Sequence, residues 1–230
     1  MRIKNLSILV IFLFATFFCV AQKSDNHTSE VGKTYYVQIQ TDYGNMLVKL
    51  YNETPLHRDN FLKLVGKGFY DGLLFHRVIN HFMIQGGDPD SRSAKPGQML
   101  GEGGLGYTVP AEFNPLLFHK KGVLAAARLS DQENPEKASS SCQFYLVQGQ
   151  VFDEAKLQML KDRYGVSLTP EQIEAYKTIG GTPHLDGSYT VYGEVVEGLD
   201  VIDKIAAVPT DKMDRPLEDV KMSMKIIEVK

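Results

Sequence analysis

Residues 75–88 read FHRVINHFMIQGGD, and the partition of this stretch decides the fold. Two apolar runs flank a polar break at Asn80 and His81, and the stretch closes on Gly86, Gly87 and Asp88. Phe75, Val78 and Ile79 mark one buried strand, and Phe82, Met83 and Ile84 mark the next. Arg77 and Gln85 lie inside this apolar setting. Arginine is almost never fully buried unless paired, so Arg77 requires a carboxylate or carbonyl partner, a wet cleft or a chemical task. Met83 and Gln85 are two apart and share a face of a regular strand. An amide, a thioether and a ring near a guanidinium make a pocket with an apolar floor and one strong donor at its edge.

Upstream, Tyr35–Gln40 and Met46–Tyr51 are strand-like and joined through Asp42-Tyr43-Gly44-Asn45, a hairpin signal. Thr54-Pro55 starts a helix, with threonine as the cap and proline at the first helical position. Phe61, Leu64 and Val65 give that helix its buried stripe, and Gly66 and Gly68 end it. Downstream, Asp88–Gly106 is a polar, glycine-rich loop. Its GEGGLG run (Gly101–Gly106) lacks the strand-then-helix frame that a phosphate cradle needs. Tyr107–Phe113, Gly122–Arg128 and Gln143–Gln148 read as further strands. Strands at short intervals with few helices predict a mainly β chain folded as a closed antiparallel barrel, which has no free sheet edges.

The stretch 75–88 resembles the signature of the cyclophilin family of peptidyl-prolyl cis-trans isomerases, in FHRVI followed by FMIQGGD. The resemblance continues through GLGYTVPAEF (Gly104–Phe113), GVLAAAR (Gly122–Arg128), SCQFYL (Ser141–Leu146) and HLDGSYTVYGEVVEGLDVIDKI (His184–Ile205), and covers residues 35–229. It implies an eight-stranded barrel capped by two helices, the second at Leu199–Ala207. Lys221–Val229 would be the last strand, with Val220, Met222, Met224 and Ile226 alternating along one face. Residues 153–181 depart from the compact family pattern. They form an inserted two-helix hairpin with stripes Leu157, Leu160, Tyr164 and Ile173, Tyr176, Ile179. Thr169 and Gln172 form a capping box for its second helix, and Gly180 closes it. The hairpin is a lid, a client-docking surface or decoration, and it should be mobile if its stripes pack only on each other.

Position for position, the resemblance makes Arg77 the donor to the prolyl nitrogen. It makes Phe82, Met83, Tyr145 and Leu185 the lining of a proline pocket. Gln85 would orient Arg77, and Gln143 with the backbone of Arg128, beside Ala127, would hold the peptide. Tyr189 stands where many members have histidine, and His184 replaces a tryptophan that contacts cyclosporin in eukaryotic members, so weak binding of that drug is expected. Each assignment has a structural counterpart. Phe82, Met83 and Leu185 can be plain core, Gln143 can serve buried backbone groups, and Cys142 is a small buried hydrophobe rather than a redox thiol. Alternation cannot put Phe82 and Met83 on one face without a bend between them. The resemblance implies an isomerase acting on proline-containing polypeptides, without cofactor, as a monomer. The reading from another class is a non-catalytic module that holds proline segments.

The 230 residues suit one domain, here 34–230. Removing Arg2 and Lys4 of the leader from the net charge of -3 leaves -5 on the remainder, which argues against a nucleic-acid footprint. His76 and His81 are five apart across a turn and meet no metal-ligand pattern. A basic end, an apolar Leu6–Cys19 and the small residues of Cys19-Val20-Ala21 predict a signal peptide, residues 1–21, followed by a flexible tether, 22–33. The domain is then exported, to a periplasm or the outside medium, with no membrane insertion of its own. The alternatives are an uncleaved anchor and a lipid on Cys19, for which Thr16-Phe17-Phe18 is bulkier than the usual attachment motif. Without Cys19 the chain has one cysteine and no internal disulfide.

Overall fold

The first hairpin sets the sheet. β1 (Tyr35–Thr41) and β2 (Gly44–Leu50) alternate so that Val37, Ile39, Met46, Val48 and Leu50 all point inward. The computed structural model describes residues 33–227; the leader and nearly all of the expected tether lie outside them. The remaining strands are β3 (Phe75–Ile79), β4 (Met83–Gly86), β5 (Thr108–Val109), β6 (Val123–Ala126), β7 (Ser139–Ser140), β8 (Phe144–Val147), β9 (Val191–Glu197) and β10 (Ser223–Ile227). The helices are α1 (Pro55–Gly66), α2 (Glu154–Tyr164), α3 (Pro170–Thr178) and α4 (Leu199–Ala206). Eight strands form one antiparallel sheet in the order β10-β1-β2-β9-β6-β8-β4-β3, and β5 and β7 pair apart.

The expected closed barrel is not formed; the sheet curls into an open half-barrel. Its edge strands meet through one isolated bridge, Leu74 with Lys221, flanked by Phe75 N–H to Val220 O at 2.9 Å. Beyond that point the edge of β3 turns to another partner, since Val78 N–H donates to Asp214 O at 2.8 Å. The segment before β10 thus caps β3 instead of extending a ladder along it.

α1 buries Phe61, Leu62, Leu64 and Val65 over one end of the curled sheet, and α4 buries Val201, Ile202, Ile205 and Ala206. The threonine cap expected for α1 is in place by position but not by chemistry. Thr54 Oγ1 is buried without a hydrogen-bond partner among the described residues. Glu112 serves instead, its carboxylate accepting from Leu56 N–H and His57 N–H, both at 3.0 Å. The expected strand Tyr107–Phe113 therefore stops at Val109, and the chain turns to deliver Glu112 to the helix. The expected last strand begins only at Ser223 of β10; Val220 and Met222 just before it and Met224 within it are buried as expected, whereas Ile226 is exposed.

The inserted hairpin has the predicted capping box, with Thr169 and Gln172 satisfying each other's backbone amides. Its stripes are only partly buried: Leu157 and Tyr176 are inside, and Tyr164 and Ile179 are about half exposed. It does not pack on itself alone. Tyr176 lies edge-on to Phe118 and Phe152, its hydroxyl donates to Asp186 at 2.7 Å, and Gln172 Nε2 donates to Pro115 O at 3.2 Å. α3 is thus anchored to the loops that flank the sheet, and the condition set for a mobile hairpin is not met there.

β6 and β8 are buried at every position, because both faces of the sheet are covered there. Leu124, Ala126, Phe144, Leu146 and Ile84 join the main core inside the curl. Ala125, Tyr145, Val147 and Met83 form a second cluster on the outer face, with Phe82, Leu185 and Tyr189 packed against it. The candidate site is built on that outer face.

Candidate functional site

A row of residues crosses three strands. Arg77 of β3 pairs with Gln85 of β4, which pairs with Tyr145 of β8. Strict alternation would turn Arg77 to the same side as Phe75. A register shift between Phe75 and Arg77 breaks it, so that Phe75 enters the main core while Arg77 faces outward. The bend anticipated between Phe82 and Met83 exists. Phe82 lies in the turn before β4, after His81 at φ 62, and its carbonyl accepts from Gln148 N–H and Gly149 N–H at 3.0 and 2.9 Å. Phe82 and Met83 thereby line one pocket. At Gly87, with φ 94, a side chain would run into the Cys142 backbone, which explains the second glycine of the stretch.

The pocket holds about 150 Å3 and is lined by Arg77, Phe82, Met83, Gln85, Ala127, Arg128, Tyr145, Leu185 and Tyr189. That volume suits one small ring and is below the range of drug-sized ligand pockets. Arg77 is 45% exposed, with Nη1 donating to Gln85 Oε1 at 3.4 Å and Nε 3.7 Å from Asp214 Oδ2. Asp214, which sequence reasoning did not foresee, therefore steadies the guanidinium from behind without burying it. The ion pair is exposed and long, so it is worth little energetically.

Gln143 lies just outside the pocket. Its Oε1 accepts from Gln85 Nε2 at 3.0 Å, while its Nε2 donates to Gly101 O and Gly103 O at 2.8 and 2.7 Å. It lines the adjoining cleft of about 340 Å3 together with Ala127 and the glycine-rich loop. That loop is no phosphate cradle, because its Gly101 and Gly103 amides already point to the Asp88 carboxylate. The side chain of Arg128 is not free for a peptide. It donates to Ser188 O at 2.8 Å, pairs with Asp131 at 2.7 Å, and lies over the Tyr189 ring at 4.4 Å. Arg128 thereby fixes one pocket wall, a role the sequence did not disclose, and leaves its backbone for substrate.

Tyr145 forms the pocket floor and is held from below. Its hydroxyl is 3.0 Å from His119 Nε2, and His119 Nδ1 is 2.9 Å from Asp186 Oδ1. Burial raises the Tyr145 hydroxyl far above the ordinary phenol value, so it stays neutral. His119 and Asp186 are supporting residues that no sequence spacing revealed. Cys142 is buried, and burial raises its thiol, as befits a core residue. Among the described residues no group of three or more His, Cys, Asp or Glu is placed to hold a metal ion. No described helix is long and apolar enough to cross a membrane.

One guanidinium and one amide stand at the rim of a small niche whose walls include Phe82, Met83, Tyr145 and Leu185, an arrangement with room for one small ring. The family model of the cyclophilin type peptidyl-prolyl cis-trans isomerase/CLD matches residues 36–226. A proposed peptidyl-prolyl cis-trans isomerase of Staphylococcus saprophyticus is 36% identical over 193 residues, 83% of this chain and 90% of the relative. A proposed bifunctional phosphatase/peptidyl-prolyl cis-trans isomerase of Streptococcus pyogenes is 35% identical over 199 residues, but this chain spans only 38% of its length. The crystal structure of a Cryptosporidium parvum cyclophilin type peptidyl-prolyl cis-trans isomerase shares the fold at TM-score 0.64 and 22% identity, covering 86% of this chain and 100% of that one. The same parasite protein was crystallised in the presence of the dipeptide Ala-Pro. The chain belongs to the cyclophilin-type peptidyl-prolyl cis-trans isomerases.

Proposed function

We propose that the protein rotates X-Pro bonds of exported polypeptides in the 150 Å3 pocket, with Arg77 as the donor that favours the twisted amide. The X-Pro bond has a barrier of about 18–20 kcal/mol and turns over in tens of seconds or longer unaided. No bond is broken, so the task is to hold the twisted form more tightly than either planar form. On twisting, the prolyl nitrogen becomes pyramidal and recovers its lone pair. A guanidinium can donate to it without proton transfer, because it stays charged at every working pH. A charge-assisted hydrogen bond of about 1.5–3 kcal/mol supplies one to two decades of rate. The rest comes from gripping the proline ring on Phe82, Met83, Tyr145 and Leu185 while the preceding residue rotates.

The observation that carries this reading is the half-exposed Arg77 at the pocket rim, oriented by Gln85 across the strand pair. A protease-coupled assay on an X-Pro peptide tests it: wild type accelerates and Arg77→Ala loses most of the acceleration. Equal rates for the two proteins would remove Arg77 from the mechanism and favour the holding module. The pocket is complete within one chain, which supports a monomeric working unit. The leader pattern of residues 1–21 supports export, and cell fractionation that finds the protein only in the cytoplasm would refute it.

A further inference from the structure

A third cavity, of about 310 Å3, lies between the inserted hairpin and the segments 114–118 and 184–188. Its walls include Leu117, Phe118, Tyr164, Ser167 and His184, so it combines an apolar floor with a polar lip at the turn between α2 and α3. Three neighbouring rings, one pair stacked and the next tilted, lead to it from the candidate pocket. Phe82, in the pocket wall, stacks on His184 at 5.6 Å and 25°, and His184 meets Tyr164 at 6.0 Å and 39°. Burial holds His184 below the ordinary imidazole value, so this path carries no charge at neutral pH. Only the insertion supplies Tyr164 and Ser167, hence the cavity exists because the hairpin does.

We propose that this cavity is a further subsite for the client polypeptide, receiving an aromatic or bulky aliphatic side chain from the segment that carries the proline. The proposal rests on the prolyl pocket as substrate site, and adjacency to that pocket across the Phe82–His184 ring pair selects the occupant. The ring steps of 5.6 and 6.0 Å laid end to end correspond to about three or four residues of extended chain at roughly 3.3–3.6 Å each. A chain lying over Phe82 and His184 therefore brings a side chain three or four residues from the proline to the cavity mouth. Extra binding far from the rotating bond anchors one side of the substrate while the other turns.

The test compares three fluorescent peptides: a short one ending at the X-Pro unit, a long one with phenylalanine three or four residues away on either side, and its all-alanine counterpart. Titration should show the phenylalanine peptide bound about tenfold more tightly than the alanine peptide when the ring lies on one side of the proline. Ser167→Trp, which fills the cavity from its exposed turn, and Tyr164→Ala should each erase that gain and leave the short peptide's binding and turnover within twofold. Phenylalanine giving no gain on either side overturns the subsite, as does a gain that both variants preserve. Failure to turn over the short peptide would instead strike the isomerase reading, while the titrations would still decide the subsite.

Discussion

His76 shows how much one side chain can depend on its surroundings. It is 3% exposed, and neither ring nitrogen has a hydrogen-bond partner among the described residues. Burial lowers its pKa from 6.5 to about 4; Asp88 opposes this, and Arg77 and Arg215 add to it. Between those values the unfolded chain binds a proton that the folded chain refuses, so stability falls as pH drops from 6.5 to about 4. The shift corresponds to a loss on the order of 3 kcal/mol. Urea midpoints measured across that window should slope downward toward acid, and His76→Leu should flatten the slope; an unchanged slope would show that His76 does not set it. A second residue-scale expectation concerns His184. Its ring covers Phe82 where eukaryotic relatives are expected to offer tryptophan to cyclosporin. Titration should give weak binding, and a submicromolar affinity would contradict it. Individual residues were legible where identity limits chemistry, as for Arg77. They were illegible where a partner is far along the chain: nothing in FHKKG ties His119 to Tyr145.

At the scale of elements, the clearest case is the start of α1. The carboxylate of Glu112 holds two helix amides and the His57 ring at 2.7 Å, while His57 Nε2 lies 2.8 Å from Ser139 Oγ. The order serine, histidine, acid suggests a nucleophile, but Ser139 is 1% exposed and the nearest cavity, of about 10 Å3, admits no substrate. The network ties α1 to β7. Burial alone would raise the Glu112 pKa, yet the hydrogen bonds from His57 and Leu56 lower it. Its contribution is complete above the unfolded carboxylate value and is lost as pH falls through the depressed folded one. Glu112→Gln should therefore cost on the order of 2 kcal/mol at neutral pH, as charge-assisted hydrogen bonds do, and much less in acid. A cost independent of pH would mean that the charge is not involved. The capping box of α3 was readable because it closes within four residues. The Glu112 cap was not, because it crosses 56 residues, and β7 was missed because two residues carry no periodicity.

The whole molecule is a curled sheet with two populated faces, a core inside and a second cluster with the candidate pocket outside. That arrangement explains why β6 and β8 read as unbroken apolar runs and why the pocket residues could each pass for core. Barrel closure was overestimated because sequence pattern gives strands but not their edges. Here the edge of β3 is taken by the Asp211–Arg215 turn, a pairing no local signal announces. The hairpin was placed correctly by its caps, and what escaped the sequence was its anchorage: Tyr176, Asp186 and His119 run in hydrogen-bonded succession to Tyr145 beneath the prolyl pocket. Fold and site thus share one scaffold, in which the insertion and the pocket floor are joined.

The account turns on Arg77 acting in the twisted state rather than in binding. Exchange spectroscopy on an X-Pro peptide at saturation separates the two for wild type and Arg77→Ala. The account predicts that the bound peptide interconverts about ten- to a hundredfold more slowly in the variant, as one lost charge-assisted hydrogen bond requires, with its dissociation constant changed only a few-fold. An unaltered interconversion rate, or a slower rate explained wholly by lost affinity, would contradict it.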